Sequence, residues 1–119
     1  LAHSSAARAG VDNLTKSASI EWAKYGIRVN SIAPGLTRTA GMEAYDEKFL
    51  KIMEARQRLI PLKKLATESE ISAVVTFLLS PAASHMTGTI VKVDGGFSLC
   101  GPMMPLEEYE PGESFNGFA

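Results

Sequence analysis

Ile27-Arg28-Val29-Asn30-Ser31-Ile32-Ala33-Pro34-Gly35 is the stretch on which the reading of this chain turns. Apolar and polar side chains alternate as far as Ile32, which is the period of a half-buried strand, and Pro34-Gly35 stops it. Upstream, Ala7, Val11, Leu14, Ala18 and Trp22 recur at spacings of four, three, four and four. That stripe predicts a helix over Ser5–Tyr25 with Gly26 as its C-cap. Small residues at Ala6, Ala7, Ala9 and Gly10 crowd its beginning and would admit another backbone closely; Gly10 is not a choice made for helix stability.

Downstream, Leu36 to Gly41 reads as a polar loop and Met42 to Arg58 as a second helix, ended by Pro61. Glu47/Lys51 and Glu54/Arg58 are placed to pair at i,i+4, for ~0.2–0.5 kcal/mol each. Thr67-Glu68-Ser69-Glu70 is a capping box, with Thr67 at N-cap and Glu70 at N3. Behind it, Ile71, Val74, Val75, Leu78 and Leu79 match the apolar positions of a third helix, closed by Ser80-Pro81. Thr89 to Val93 reads as a second strand and Asp94-Gly95-Gly96 as a tight structural turn after it. From Phe97 a tail carrying Pro102, Pro105 and Pro111 and the acidic run Glu107-Glu108-Tyr109-Glu110 is expected to be mostly irregular, the acidic run being a solvated surface.

Strands separated by helices imply an α/β layer with parallel pairing. Two short strands are too few for a stable sheet covered on both faces, so the chain is expected to complete a sheet whose other strands lie upstream. Twelve basic against thirteen acidic side chains, and 45% hydrophobic residues, exclude a disordered chain and give no support to a nucleic-acid binder. One cysteine, Cys100, cannot staple the fold. Val74 to Leu79 is far too short to cross a bilayer. Leu1-Ala2-His3-Ser4-Ser5 lacks a signal-peptide pattern, and a start without Met reads as a fragment or a processed chain.

Several phrases together resemble the short-chain dehydrogenase/reductase superfamily. They are Ala9-Gly10-Val11, Leu14-Thr15-Lys16-Ser17, Glu21 to Asn30, Ser31-Ile32-Ala33-Pro34-Gly35, Phe77-Leu78-Leu79-Ser80, Thr87-Gly88 and Val93-Asp94-Gly95-Gly96. The resemblance implies the C-terminal part of a Rossmann-type doubly wound parallel sheet. Residues 1–99 would be the C-terminal half of such a domain and 100–119 an irregular tail. The family's glycine-rich turn is missing, since no G-x-G-x-x-G occurs.

The phrases His3 to Val11 and Leu79-Ser80-Pro81-Ala82-Ala83-Ser84 are similar to peroxisomal trans-2-enoyl-CoA reductases. Where most relatives carry Tyr-x-x-x-Lys, this chain has Ser4 and Arg8. A second register, eight residues later, would put Asp12 and Lys16 at those places. The resemblance makes Ser4 and Arg8 the catalytic candidates. Arg8 would donate to a nicotinamide ribose as a permanently charged planar fork, or it is a helix-surface arginine. Ser4 would hydrogen-bond a thioester carbonyl, or it is a helix N-cap.

Pro34, Gly35, Leu36, Thr37 and Thr39 follow a strand C-terminus, where open α/β sheets bind ligands. By resemblance they contact the cofactor, with the Thr37 backbone pairing with the nicotinamide carboxamide and Thr39 adding a hydroxyl. Met42, Tyr45 and Phe49, with Met53, form a flexible sulfur- and aromatic-rich face that suits an acyl chain or plain core packing. By resemblance this region is the substrate lid.

What the resemblance implies is an NADPH-dependent reductase of the C=C bond of trans-2-enoyl-CoA in fatty-acid metabolism. It would have an acyl-CoA partner, a homo-oligomeric (tetrameric) state and no membrane insertion. A 2,4-dienoyl-CoA reductase, another short-chain carbonyl reductase, or a non-catalytic truncated relative acting as an oligomerising module are the other readings. A peroxisomal location is implied by resemblance, with mitochondrial or cytoplasmic as alternatives, although Asn116-Gly117-Phe118-Ala119 is not an S-K-L-type ending.

Overall fold

The computed structural model describes residues 1–101 and 106–118. Its elements are helix α1 (Ala2–Trp22), strand β1 (Ser31–Pro34), helix α2 (Glu47–Gln57), helix α3 (Glu68–Leu79) and strand β2 (Ile90–Val93). Short 3-10 turns occupy Ala23–Tyr25, Ala40–Ala44, Pro81–Ala83 and Phe97–Leu99. β1 and β2 form a two-stranded sheet. Ser31 N–H donates to Thr89 O (3.0 Å) and Gly35 N–H to Val93 O (2.9 Å), so both chains advance together and the pairing is parallel, as expected.

The chain divides into two compact units. The first comprises 1–33 and 74–92. Here α1 buries Ala18 of the expected stripe, with Thr15 and Ser19, while Val11, Leu14 and Trp22 are exposed. The approach at Ser19 is close: a Cβ on Gly88 would lie 2.7 Å from Ser19 Oγ. Gly10, by contrast, has open space beside it. Ile27 to Asn30 is not strand. Side chains help to hold it: Val29 N–H donates to Thr87 Oγ1 and Asn30 bonds both Met86 O and Thr89 N–H, beside one backbone bond from Gly88 N–H to Val29 O (2.7 Å). Arg28 spends its guanidinium on Leu78 O (2.7 Å), Met86 O (3.2 Å) and Ser80 O (3.4 Å), closing three turn carbonyls with one side chain. On α3, Leu78 is buried while Leu79 and Val75 are exposed, so only part of its apolar stripe packs.

The second unit comprises 34–73 and the described residues from 93 onward. Its core is Ile60, Leu65 and Met53, with Ile60 fully buried. The expected helix from Met42 starts instead at Glu47. Asp46 caps it by accepting from Phe49 N–H at 2.8 Å, and Met42 lies in the preceding 3-10 turn. α2 ends at Gln57, four residues before Pro61. Lys51 pairs with Glu47 at 2.8 Å; Glu54 and Arg58 form no ion pair among the described residues.

The capping box forms as read. Glu70 N–H donates to Thr67 Oγ1 (3.1 Å) and Thr67 N–H to Glu70 Oε2 (2.9 Å). Asp94-Gly95-Gly96 is the expected turn: the Asp94 carboxylate accepts from Gly96 and Ser98 N–H. Gly95 and Gly96 adopt φ +61° and +86°, where a side chain would be strained and would strike Ile60 and Pro61. Among its described residues the tail has no regular structure beyond Phe97–Leu99, and Glu107, Glu108 and Glu110 are exposed, as expected. Pro102 and Pro105 lie outside the described residues.

Two outcomes follow from this packing. Burial raises the Glu70 carboxyl, but hydrogen bonds from Lys64 and from the Thr67 and Phe115 amides, with the Lys64 charge, outweigh it and hold Glu70 below its ordinary pKa of 4.5. The folded state therefore gains stability that is present above about pH 4.5 and lost as the pH falls through the lower, folded-state pKa. Urea unfolding between pH 3 and 6 is expected to show a shallower loss of stability on acidification for Glu70→Gln than for the parent; equal slopes would remove Glu70 from the account.

At Gly35, an added Cβ would lie 2.7 Å from Asp94 Cα and 2.9 Å from Asp94 Cβ. Because backbone must move to relieve it, Gly35→Ala is expected to cost ~1–3 kcal/mol in unfolding free energy, as overpacking does.

Candidate functional site

Of the residues read as catalytic, Ser4 lies in the first turn of α1 and Arg8 one turn later, so the two share a helix face. The N-cap position belongs to Leu1, with no side-chain bond, which removes the N-cap reading of Ser4. Ser4 is half-buried and its hydroxyl has no hydrogen-bond partner among the described residues. Arg8 is exposed and unpaired among them. Lys16, two turns beyond Arg8, is exposed as well.

The segment after β1 belongs to the second unit. Thr37 forms an isolated parallel bridge with Ala66. In that bridge Ala66 N–H donates to Leu36 O (3.0 Å) and Arg38 N–H donates to Ala66 O (2.8 Å). The bonds use the groups of the residues flanking Thr37, so Thr37 directs its own N–H and C=O to the opposite side. Neither has a partner among the described residues. The result is one donor and one acceptor side by side on a single extended residue, the complement of a primary carboxamide. Thr37 Oγ1 turns back onto Gly35 O at 3.2 Å. Pro34 ends β1 and is exposed, and Gly35 takes the close contact with Asp94 already described. Thr39 stands at the N-cap of the Ala40–Ala44 turn without a side-chain capping bond, and its hydroxyl has no hydrogen-bond partner among the described residues.

Thr39 also lines a cavity of about 270 Å³ with Arg38, Met42, Met53, Glu54 and Leu65. Of the three residues read as substrate-binding, only Met42 reaches this cavity. Tyr45 and Phe49 stack on one another, with centroids 4.3 Å apart and planes inclined by 26°. Tyr45 is exposed, so the pair is not core packing. Met53, the fourth residue of that face, is the one that is buried.

Sequence reasoning missed Arg38. It adds a permanent cation to the lining of the cavity, which Glu54 also lines, and its position between two candidate threonines was the available signal. No group of acidic, histidine or cysteine side chains that could hold a metal occurs among the described residues. Nor is any described helix long and apolar enough to cross a membrane.

Comparison with known proteins bears on this arrangement. The family model described as enoyl-(acyl carrier protein) reductase matches residues 2–98. A Bacillus subtilis protein assigned as a 2,4-dienoyl-CoA reductase is 47% identical over 79% of this chain. The peroxisomal 2,4-dienoyl-CoA reductase of Saccharomyces cerevisiae is 39% identical over 90%. A solved structure from Agrobacterium tumefaciens, assigned as a 2-deoxy-d-gluconate 3-dehydrogenase and holding NADP, superposes with a TM-score of 0.71 at 38% identity over 80% of this chain. The chain spans 37%, 36% and 38% of the lengths of these three proteins. With the α/β order, the parallel pairing and a family match across all but the tail, this chain belongs to the short-chain dehydrogenase/reductase superfamily of oxidoreductases.

Proposed function

We propose that residues 1–99 are the C-terminal half of an NADPH-dependent reductase that acts on the C=C bond of a trans-2-enoyl-CoA, with 100–119 as its tail. The observation that carries the reading is the Ser4/Arg8 pair, one turn apart on α1 at the positions where the family resemblance implies Tyr and Lys. A phenol has an ordinary pKa of about 10, and an alkyl hydroxyl is a far weaker acid. Protonating a ketone oxygen needs that acid. Saturating a conjugated thioester asks only that the oxygen be hydrogen-bonded while charge develops on it.

Bound NADPH would supply a hydride to the β-carbon, with a proton reaching the α-carbon. Ser4 would donate to the thioester oxygen, and the Arg8 guanidinium would hold the ribose hydroxyls and add positive charge. The free Thr37 N–H and C=O would pair with the carboxamide, Pro34, Gly35 and Leu36 would line the ring, and Thr39 would add its hydroxyl. Met42 and the apolar wall of the 270 Å³ cavity would take part of the acyl chain, with Tyr45 and Phe49 at its approach.

The two 2,4-dienoyl-CoA reductases among the relatives favour a second reading, in which the same residues serve a dienoyl thioester. Both readings share the acyl-CoA partner and the conjugated double bond. The exposed Val11, Leu14 and Ile20 on α1 accord with burial in a larger domain or a homo-oligomer, for which the resemblance implies a tetramer. A peroxisomal setting accords with the yeast relative's name.

In the whole protein that carries this chain, Arg8→Ala is expected to lower turnover more than Lys16→Ala. Eight residues advance a helix by roughly 12 Å, too far for both cations to serve one ribose. Steady-state kinetics decide it, and a larger loss for Lys16→Ala would favour the later register.

NADPH consumption with matched enoyl-CoA and 3-ketoacyl-CoA substrates tests the reaction itself. Faster turnover of the enoyl-CoA is expected, and faster turnover of the ketone would overturn the reading. A 2,4-dienoyl-CoA in the same assay separates the two double-bond reactions.

A further inference from the structure

The tail is irregular, yet four of its residues are bound to the Pro61–Glu70 segment: Tyr109 and Ser114 through side chains, Glu113 and Phe115 through their backbone. Tyr109 Oη donates to Pro61 O at 2.5 Å. Lys64 Nζ donates to Glu113 O (2.8 Å) and to Ser114 Oγ (3.3 Å). Thr67 Oγ1 donates to Phe115 O at 2.5 Å, and Phe115 N–H donates to Glu70 Oε1 at 3.2 Å. Lys64 and Glu70 also pair with each other at 2.6 Å, and both are mostly buried, at 17% and 20% side-chain exposure. A charge pair that is largely desolvated and shares its remaining bonds with one short peptide fixes that peptide far better than an exposed pair does.

All the anchors fall on the segment from Pro61 to Glu70. Within it stands Ala66, whose N–H and C=O carry the bridge to Leu36 and Arg38. The tail therefore braces both flanks of the residue that holds the Thr37 backbone in place. Lys63, buried with its ammonium over the Tyr109 ring and bonded to Arg58 O, adds a further hold at the start of this segment.

We propose that residues 109–115 form a clasp that holds the Pro61–Glu70 segment in register, and through Ala66 holds the Leu36–Arg38 segment extended. Lys64 is its positioning residue. The consequence for NADPH rests on the cofactor reading of Thr37 given above; the clasp itself does not.

The test uses the whole protein, truncated after Gly112, beside Lys64→Met and Lys64→Arg. Amide exchange without nucleotide is read at Arg38 and Ala66, the two donors of the bridge, with Leu78 in the first unit as reference. Truncation and Lys64→Met are expected to speed exchange at Arg38 and Ala66 by about tenfold while Leu78 keeps its rate, as local opening does. Lys64→Arg is expected to restore much of the protection. KM for NADPH is expected to rise by about fivefold in the truncated protein, with kcat within about twofold.

Unchanged exchange at Arg38 and Ala66 would overturn the clasp, and so would a rise shared equally by Leu78. Faster exchange with an unchanged KM for NADPH would uphold the clasp and overturn instead the assignment of Thr37 to the cofactor.

Discussion

Ala66 accepts from Arg38 N–H and donates to Leu36 O, and the second unit is organised around those two backbone bonds. Pairing Leu36 and Arg38 in this way forces Thr37 to present its own N–H and C=O on the other side. The bridge depends in turn on the segment that carries Ala66. Ile60 and Leu65 bury that segment, Leu62 N–H donates to Gly95 O, and Thr67 begins the cap of α3. A core, a turn and a helix start thus converge on one extended residue, which presents a donor and an acceptor as a ready-made pair.

The proposed function assigns a separate role to α1. There the helix supplies only spacing, four residues between a hydroxyl and a guanidinium. An arginine keeps its charge whatever surrounds it, so it can stabilise developing negative charge but cannot pass a proton on. Serine in place of the usual phenol points the same way: a site able to hydrogen-bond an oxygen and poorly able to protonate it. On the proposed reading, this pairing favours conjugate reduction over carbonyl reduction.

Much of this was legible in the sequence where a local rule decides the outcome. The Thr67/Glu70 capping box and the Asp94-Gly95-Gly96 turn are set within four residues, and both form as read. The alternation in Ile27–Ala33 located a strand but placed it too early, because Arg28 and Asn30 use their side chains to bond distant carbonyls instead of pairing as a ladder. Of the periodic stripe of α1 only Ala18 is buried in this chain, beside Thr15 and Ser19, whose small side chains permit close approach. The tail's anchoring was illegible because each bond joins residues about 45 to 50 positions apart and uses a backbone carbonyl or amide that no composition signals.

The central claim is that Thr37 offers its backbone to the nicotinamide carboxamide. The most direct measurement is the amide resonance of Thr37 in the isotope-labelled whole protein, titrated with NADP⁺. The account predicts that the Thr37 amide shifts and becomes protected from solvent exchange at saturating nucleotide, while the amides of Arg38 and Ala66, already bonded to each other's segments, keep their protection. A Thr37 amide that neither shifts nor gains protection when the nucleotide is bound would contradict it.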